Sequence, residues 1–459
     1  MSMSVFRRLF AAAATGVCLG GSPAGAEVWT VHGALGAPDQ LKLSGSARIR
    51  HEGLHGHFRP GANPDQSVIS LRTIVSAEYS KGDTRFGGEL YDSRAWGGEA
   101  DGVVTTGEVN TLELVQGYVA HDFTAPFGPG TSATVQAGRF TLNLGSRRLV
   151  AADDYRNTTN GYTGLRLDTR SAGGVTSTLI YVLPQVRLPD DLPSVLENKT
   201  NFDKQSFDLA LWGGIVTAPV AEQTFVELGL FGFQEGDFPQ RATRNRDLRT
   251  ISTRIIRNPR PGRFDFEIEA AYQFGSIRAD TTPAARKLDV SASFLHLDAG
   301  YSYSASWKPR VSVEYDRASG DDSKATFGRY DTLFGMRRAD LAPAGIYAAL
   351  GRSNISTPSL RLEVTPNSSW DAFMAFRGLW LESATDSFST SGVRDASGRS
   401  GLFAGRQLEG RVRHWLIRNA LRLEINGVWL DRAGVLKRAP TAPRTGDTLY
   451  LSTAVTATF

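Results

Sequence analysis

The feature that most constrains this chain is a two-residue rhythm. It recurs in segments of about ten residues from near the start to the last residue, with almost no sustained helical period. From Leu41 to Arg50, one face carries Leu41, Leu43, Gly45, Ala47 and Ile49, and the other Lys42, Ser44, Ser46, Arg48 and Arg50. From Arg263 to Phe274, Phe264, Phe266, Ile268, Ala270, Tyr272 and Phe274 oppose Asp265, Glu267, Glu269 and Gln273. Side chains alternate across a strand, so each segment offers one face to an apolar medium and one to water. After residue 26 no run approaches the roughly 20 apolar residues of a membrane helix, so a membrane protein of this sequence has to be a barrel.

Eighteen strands can be placed, near 41–51, 68–80, 84–95, 110–123, 131–142, 161–170, 174–183, 206–217, 223–235, 249–258, 263–275, 289–304, 308–318, 354–366, 370–382, 402–416, 419–432 and 447–459. The connections alternate in length. Long segments lie at 52–67, 96–109, 143–160, 184–205, 236–248, 276–288, 319–353, 383–401 and 433–446, with brief links such as Lys81-Gly82-Asp83 between them. Long extracellular loops and short periplasmic turns give this order in an all-β, antiparallel transmembrane β-barrel, and a soluble β-sandwich has no reason for it. The last segment alternates to a terminal Phe459, like the closing strand of outer-membrane barrels, and Tyr79, Trp96, Phe123, Tyr181, Trp370 and Trp429 suit interfacial girdles.

Residues 1–26 read as a signal peptide: Arg7 and Arg8, an apolar run from Leu9 to Leu19, then Ala24-Gly25-Ala26 as a cleavage site. The expectation is a Gram-negative outer-membrane protein, cleaved near Ala26, with residues 27–459 as one barrel domain. The only cysteine, Cys18, lies in that leader, which excludes disulfides and thiolate chemistry from the mature chain. Too few residues precede the first strand for a plug domain, so loops must close the lumen if anything does, with 319–353 the longest candidate and 143–160 a strongly charged one.

Of 51 basic residues, 43 are Arg, yet without the leader the net charge is only about +2, no case for nucleic acid. Alternation assigns Arg48, Arg50, Arg72, Arg166, Arg170, Arg254, Arg361, Arg377, Arg411, Arg413 and Arg422 to the inner face, beside Glu78, Glu89, Asp168, Glu267, Glu269, Glu314, Glu363, Glu409 and Glu424. Much of this charge is expected to cancel in luminal ladders, and any Arg excess to favour anions. The stretch Arg241 to Arg263 holds eight arginines against one acid, which suits either lipopolysaccharide or polymer contact at the rim. His51, His55 and His57 match no metal spacing, and His32, His121, His296 and His414 sit in no nucleophile context, so neither metal, cofactor nor enzymatic activity is expected.

The stretch GRFTLNLGSRRLVAADDYRNTTNGYTGLRL, Gly138 to Leu167, resembles the signature region of the alginate export family. FDFEIEAAYQFG (Phe264 to Gly275), YDTLFG (Tyr330 to Gly335) and AGRQLEGRVRHW (Ala404 to Trp415), the last followed by a strand ending near Leu436-Lys437, fit the same family. Tyr155 stands where the family usually has Trp, Thr163 where it has Asp, and Gln407-Leu408-Glu409 where it has Glu-Leu-Asp. The resemblance implies an eighteen-stranded barrel with an arginine-rich pore for passive export of an anionic exopolysaccharide. The residues that would contact it are Arg48, Arg72, Arg139, Arg148, Asp154, Arg156, Asn157, Arg166, Arg170, Arg254, Arg361, Arg377, Arg411 and Arg413. Around Asp154 the residues admit two readings, a brace for the third long loop or arginines facing the pore. Uptake of small anionic or sugar nutrients and a loop-plugged structural barrel are the alternatives. Expected partners are outer-membrane lipid and lipopolysaccharide, the polysaccharide, the barrel assembly machinery and periplasmic export proteins, around a monomer.

Overall fold

The computed structural model describes residues 30–459 apart from 154, 238–240, 323–324, 337–339, 344 and 349. The proposed leader and Asp154 therefore lie outside the described residues. Nineteen strands follow in chain order: β1 (Leu41–His55), β2 (Gln66–Lys81), β3 (Thr84–Trp96), β4 (Asn110–Thr124), β5 (Ser132–Phe140), β6 (Tyr162–Arg170), β7 (Thr176–Pro184), β8 (Leu209–Ala221), β9 (Thr224–Glu235), β10 (Asp247–Arg257), β11 (Arg263–Arg278), β12 (Lys287–Ser302), β13 (Arg310–Ala318), β14 (Thr326–Phe327), β15 (Ile355–Asn367), β16 (Trp370–Trp380), β17 (Phe403–Ile417), β18 (Leu421–Arg432) and β19 (Thr448–Thr458).

Each stave pairs antiparallel with its sequence neighbours, β13 with β15, and β19 returns to β1, so 18 strands form a closed barrel. β14 is a two-residue strand set parallel on β12, outside the ring of staves. Closure leaves no unpaired sheet edge, which is what permits a sheet to sit in hydrocarbon. At the seam Ile49 faces Leu71 on one side and Val455 on the other, and Phe459 exchanges backbone hydrogen bonds with Gly45 at 2.8 and 3.0 Å. All eighteen segments read from the alternation are staves, with ends moved by at most four residues.

The register separates the faces as the alternation requires. Ile49, Leu165, Leu228, Val313, Leu360 and Leu451 are each more than half exposed on the outer wall, while Arg50, Gln273, Ser312, Arg377 and Gln407 are buried on the inner one. The aromatics Tyr79, Trp96, Phe123, Tyr181, Trp370 and Trp429 all face outward. One expectation fails. The chain after β17 does not remain a strand to Leu436-Lys437: β18 ends at Arg432, and Gly434–Arg438 is a helical turn. Gly434 adopts a φ of +40°, which breaks the extended run and allows that turn.

The staves alternate short turns with nine long loops, at 56–65, 97–109, 141–161, 185–208, 236–246, 279–286, 319–354, 381–402 and 433–447. All nine leave from the same end of the barrel. Two of them, 141–161 and 319–354, turn back into the lumen and pack on the inner wall, so the buried apolar core lies inside that end of the barrel and includes Val150, Leu341, Ile346, Tyr347 and Leu350.

Candidate functional site

The site begins where β5 ends. After Phe140 the chain leaves the wall, and a tight turn, Arg147 N–H to Leu144 C=O at 2.8 Å, aims Arg148 across the lumen. Its guanidinium donates through Nε and Nη2 to the two carboxylate oxygens of Asp340, both at 2.7 Å, and through Nη1 to Glu267 and Glu269 of β11. Arg254 of β10 holds Glu267 at 2.9 Å, Arg352 shares Asp340, and Arg377 of β16 donates to the Asp340 carbonyl at 2.6 Å. Alternating charges thus tie both loops to the wall. Asp340, outside the strands, is held well below the usual carboxylate range by Arg148 and then Arg352, against the opposing effect of its burial. Breaking one partner out of such a buried set costs about 3–5 kcal/mol, because the other charge is left without compensation.

A few residues on, the same loop is fastened to another part of the wall. Arg48 of β1 donates to the Arg156 carbonyl at 2.8 Å and to Asn157 Oδ1 at 3.3 Å, and Arg72 of β2 reaches the Arg156 carbonyl at 3.1 Å. Arg50 donates to the Tyr155 carbonyl and lies 4.5 Å over its ring. Asn157 Nδ2 donates to the carbonyls of Leu71, Arg94 and Glu108 at 3.0, 3.1 and 2.8 Å. In a ring of 18 staves, β1 and β2 lie nearly opposite β11. The seven steps from Arg148 to Tyr155 reach at most roughly 25 Å when extended, and the arginine side chains complete the span. The segment is a crossbar.

The second loop lies along it. Phe334 accepts from Ala151 N–H at 3.1 Å and donates to Leu149 C=O at 3.0 Å, and Met336 N–H reaches Arg147 C=O at 3.0 Å. This approach requires Gly335, since a Cβ there would stand 1.8 Å from the Arg148 carbonyl oxygen. Wall residues hold the remainder: Gln273 exchanges two bonds with the Asp331 backbone, Tyr347 donates to Gln407 at 2.6 Å, and Glu52 accepts from Ile346 N–H and from the Tyr450 hydroxyl. Ile346 and Tyr347 therefore fill the lumen beside β1, β17 and β19.

On the other side of the crossbar, towards β8–β10, two adjoining recesses of about 340 and 440 Å³ remain. They are lined by Arg156, Arg187, Arg241, Arg244, Arg246 and Arg329, against Asp153, Asp190, Glu235 and Asp331. Arg156 and Arg187 converge on one neutral acceptor, Asn160 Oδ1, each at 2.7 Å. Asp153 pairs with Arg156 at 2.9 Å, but Arg187 makes no ion pair among the described residues. Burial, followed by the nearby Arg156, pushes the Arg187 guanidinium down to about 9, so at neutral pH it is still a cation, and an uncomfortable one. Two guanidiniums around one small space suit a carboxylate, whose planar pair of acceptors matches the Arg fork.

The rim arginines join this recess. Arg246 pairs with Glu235 and with Asp331 at 2.6 and 2.7 Å, Arg244 lies 4.7 Å over Phe327, and Arg241 is the most open, 4.0 Å from Asp190. Lower in the lumen the arginines named from the sequence form ladders: Arg166 with Asp168 at 2.7 Å, Arg361 with Glu363 at 2.8 Å, and Arg411 and Arg413 with Asp371 at 3.0 and 2.9 Å. Arg139 bonds to Glu113, Leu114 C=O and Gln205, and Arg170 is exposed at the turn end of β6. The described sequence-named residues thus fall into the crossbar (Arg48, Arg72, Arg148, Arg156, Asn157, Arg254, Arg377) and the ladders (Arg166, Arg361, Arg411, Arg413), and the expectation of a pore contact is not met by Arg139 or Arg170, which belong to neither. Arg187, Asp340 and Arg352 were missed; they sit in loops without periodicity, and only their charge could have marked them. Among the described residues, His296, Asp316 and Asp340 form one buried group of metal-ligating types, but both Asp340 oxygens already serve arginines.

A family profile described as alginate export matches residues 39–445. The chain belongs to the alginate export family. A search of curated protein sequences finds no match. Among solved structures, the barrel is similar to Pseudomonas aeruginosa OccK2 (OpdF), including its complex with glucuronate, at 13% identity and a TM-score of 0.57, covering 92% of this chain and 98% of that one. It is also similar to P. aeruginosa OccK9 (OpdG), at 10% identity and a TM-score of 0.58 over 92% and 98% of the two chains. Acinetobacter baumannii OccAB1 gives 12% identity and a TM-score of 0.57 over 91% and 96%. Family and fold are those of outer-membrane channels.

The family's separate sequence blocks meet in space. Gly138 to Leu167 supplies the crossbar, Phe264 to Gly275 supplies Glu267, Glu269 and Gln273, Tyr330 to Gly335 supplies the strip laid along it, and Ala404 to Trp415 supplies Gln407. Where this member departs from the family, the replacements are seated: the Tyr155 hydroxyl meets that of Tyr450 at 3.1 Å, and Gln407 takes the bond from Tyr347.

Proposed function

We propose that this outer-membrane channel passes carboxylate-bearing saccharides, and that its task is the passive export of an anionic exopolysaccharide of the alginate class. The observation that carries this reading is the pair Arg156 and Arg187, converging on Asn160 beside the open arginines of the recess. A uronate carboxylate entering there takes hydrogen bonds from both guanidiniums in place of the neutral Asn160 oxygen, while Asp153 keeps its pair with Arg156. The contacts below it are ladders whose arginines already hold carboxylates, so each can lend a hydrogen bond to a passing anion without capturing it. No chemical step is needed.

A second reading, uptake of single uronic or other small carboxylic acids, draws on the crossbar. It divides the lumen, and a recess of about 340 Å³ suits one or two sugar units better than a long polymer cradle. The complex of OccK2 with glucuronate is a precedent on a similar fold. The test is single-channel current in a planar bilayer under a salt gradient, with added polyuronate and, separately, glucuronate. Anion-selective current blocked by micromolar polymer supports export; block by glucuronate alone moves the channel to uptake. Cation-selective current that neither affects removes the carboxylate lane altogether.

A further inference from the structure

The outer wall carries arginines as well as the lumen, and at the long-loop end three of them are neutralised where they stand. By strand parity Arg94, Arg249 and Arg317 share the outward face with Leu90, Ile251 and Val313, and they pair with Asp92 at 3.0 Å, Asp247 at 2.5 Å and Glu382 at 2.5 Å. Pairing suits a cation at the edge of hydrocarbon, because the cost of an unpaired one, small at the interface, rises steeply with depth. Arg406 of β17 breaks the pattern. It lies on the outward face with Leu408 and Val412, two residues from the buried, inward Ala404, and is exposed; it makes no ion pair among the described residues, although Asp431 stands across from it in the register of β18.

Beneath Arg406 the wall is hollowed. A groove of about 560 Å³ runs between Leu360, Phe376, Trp380 and Phe403, and its floor is open because Gly378, directly across from Arg406 on β16, has no side chain. A Cβ at Gly378 would come within 2.3 Å of the Trp380 ring, so filling that position would displace a wall of the groove. The arrangement is an apolar slot topped by an uncompensated guanidinium, at the level of the outer leaflet. Acyl chains fill such slots, and phosphate is the anion that an Arg fork at headgroup height meets.

We propose that this groove is a seat for one phosphorylated glycolipid of the outer leaflet, of the lipid A type, with an acyl chain between Phe376 and Trp380 and a phosphate on Arg406. The site is separate from the recess and does not depend on the channel reading. Native mass spectrometry of the detergent-purified barrel, titrated with bis-phosphorylated hexa-acyl lipid A, tests it. Wild type and R94Q should each retain one lipid A; R406Q should bind about tenfold more weakly, the loss of one charge-assisted contact, and R406K should recover part of it. Lipid A stripped of its phosphates should bind wild type no better than intact lipid A binds R406Q, an arm that needs no variant to fold. Equal retention by R406Q and wild type, or equal binding of the stripped lipid, overturns the proposal. So does finding that the added mass is a second copy of the chain.

Discussion

Asn157 shows how much one side chain can be asked to do. Its amide donates to three carbonyls on two staves and a neighbouring loop, and its oxygen accepts from Arg48, so Asn157→Ala leaves several buried groups unpaired. Each unsatisfied group costs about 1–3 kcal/mol. The expected result is an intact barrel whose 141–161 loop is cut faster by protease; unchanged resistance would mean that the arginines alone hold the crossbar. Glu108 adds a pH dependence. Burial, then Glu52, pushes its carboxyl up to about 7, and Thr105 donates to it at 2.9 and 3.0 Å. The folded state favours the protonated acid, so its contribution is full below the ordinary value of 4.5 and is lost as pH rises through about 7. Hydrogen exchange at residues 105–109, corrected for intrinsic rate, should show more protection at pH 5 than at pH 8. Arg187→Gln should weaken glucuronate block about tenfold, the effect of removing one charge-assisted bond, and leave insertion unchanged. The sequence made Arg156 and Asn157 visible through a motif, whereas Arg187 is one arginine among many until the fold places it beside Arg156.

Strands and loops were not equally legible. A stave in a barrel wall faces two media of opposite polarity, so its neighbours i and i+2 must agree, and that demand is written locally in each segment. A loop inside the lumen meets partners hundreds of positions away, as Arg148 meets Asp340 and Tyr155 meets Tyr450, and no local rhythm records them. The length and charge of 319–353 and 143–160 did mark the right loops. The residues that join them could not be named. At this scale the test is Asp340→Asn, which keeps the side-chain shape and leaves Arg352 and Arg148 short of a carboxylate. Loosening of 319–354 should follow, by up to about 3–5 kcal/mol, seen as larger and noisier single-channel current and faster cleavage within 341–350. Current identical to wild type would show that the apolar core around Tyr347 holds the loop by itself.

For the whole molecule, the outer wall and the crossbar answer to different forces. Leu451 sits near the middle of β19 on the lipid face, more than half exposed, and Leu451→Arg should raise the free energy of insertion by about 2–4 kcal/mol, measured by refolding into vesicles in a denaturant series. Thr448→Ser, buried inside the same strand with its hydroxyl on the Gly56 carbonyl, should not. A closed sheet of many staves is a hoop, stiff along its strands but easily squashed into an ellipse by uneven sideways pressure from the bilayer. A hoop with a spoke cannot flatten along that spoke. By tying β1 and β2 to β11, the segment from Arg148 to Asn157 makes the bore of this barrel a property of the protein and not of the membrane around it.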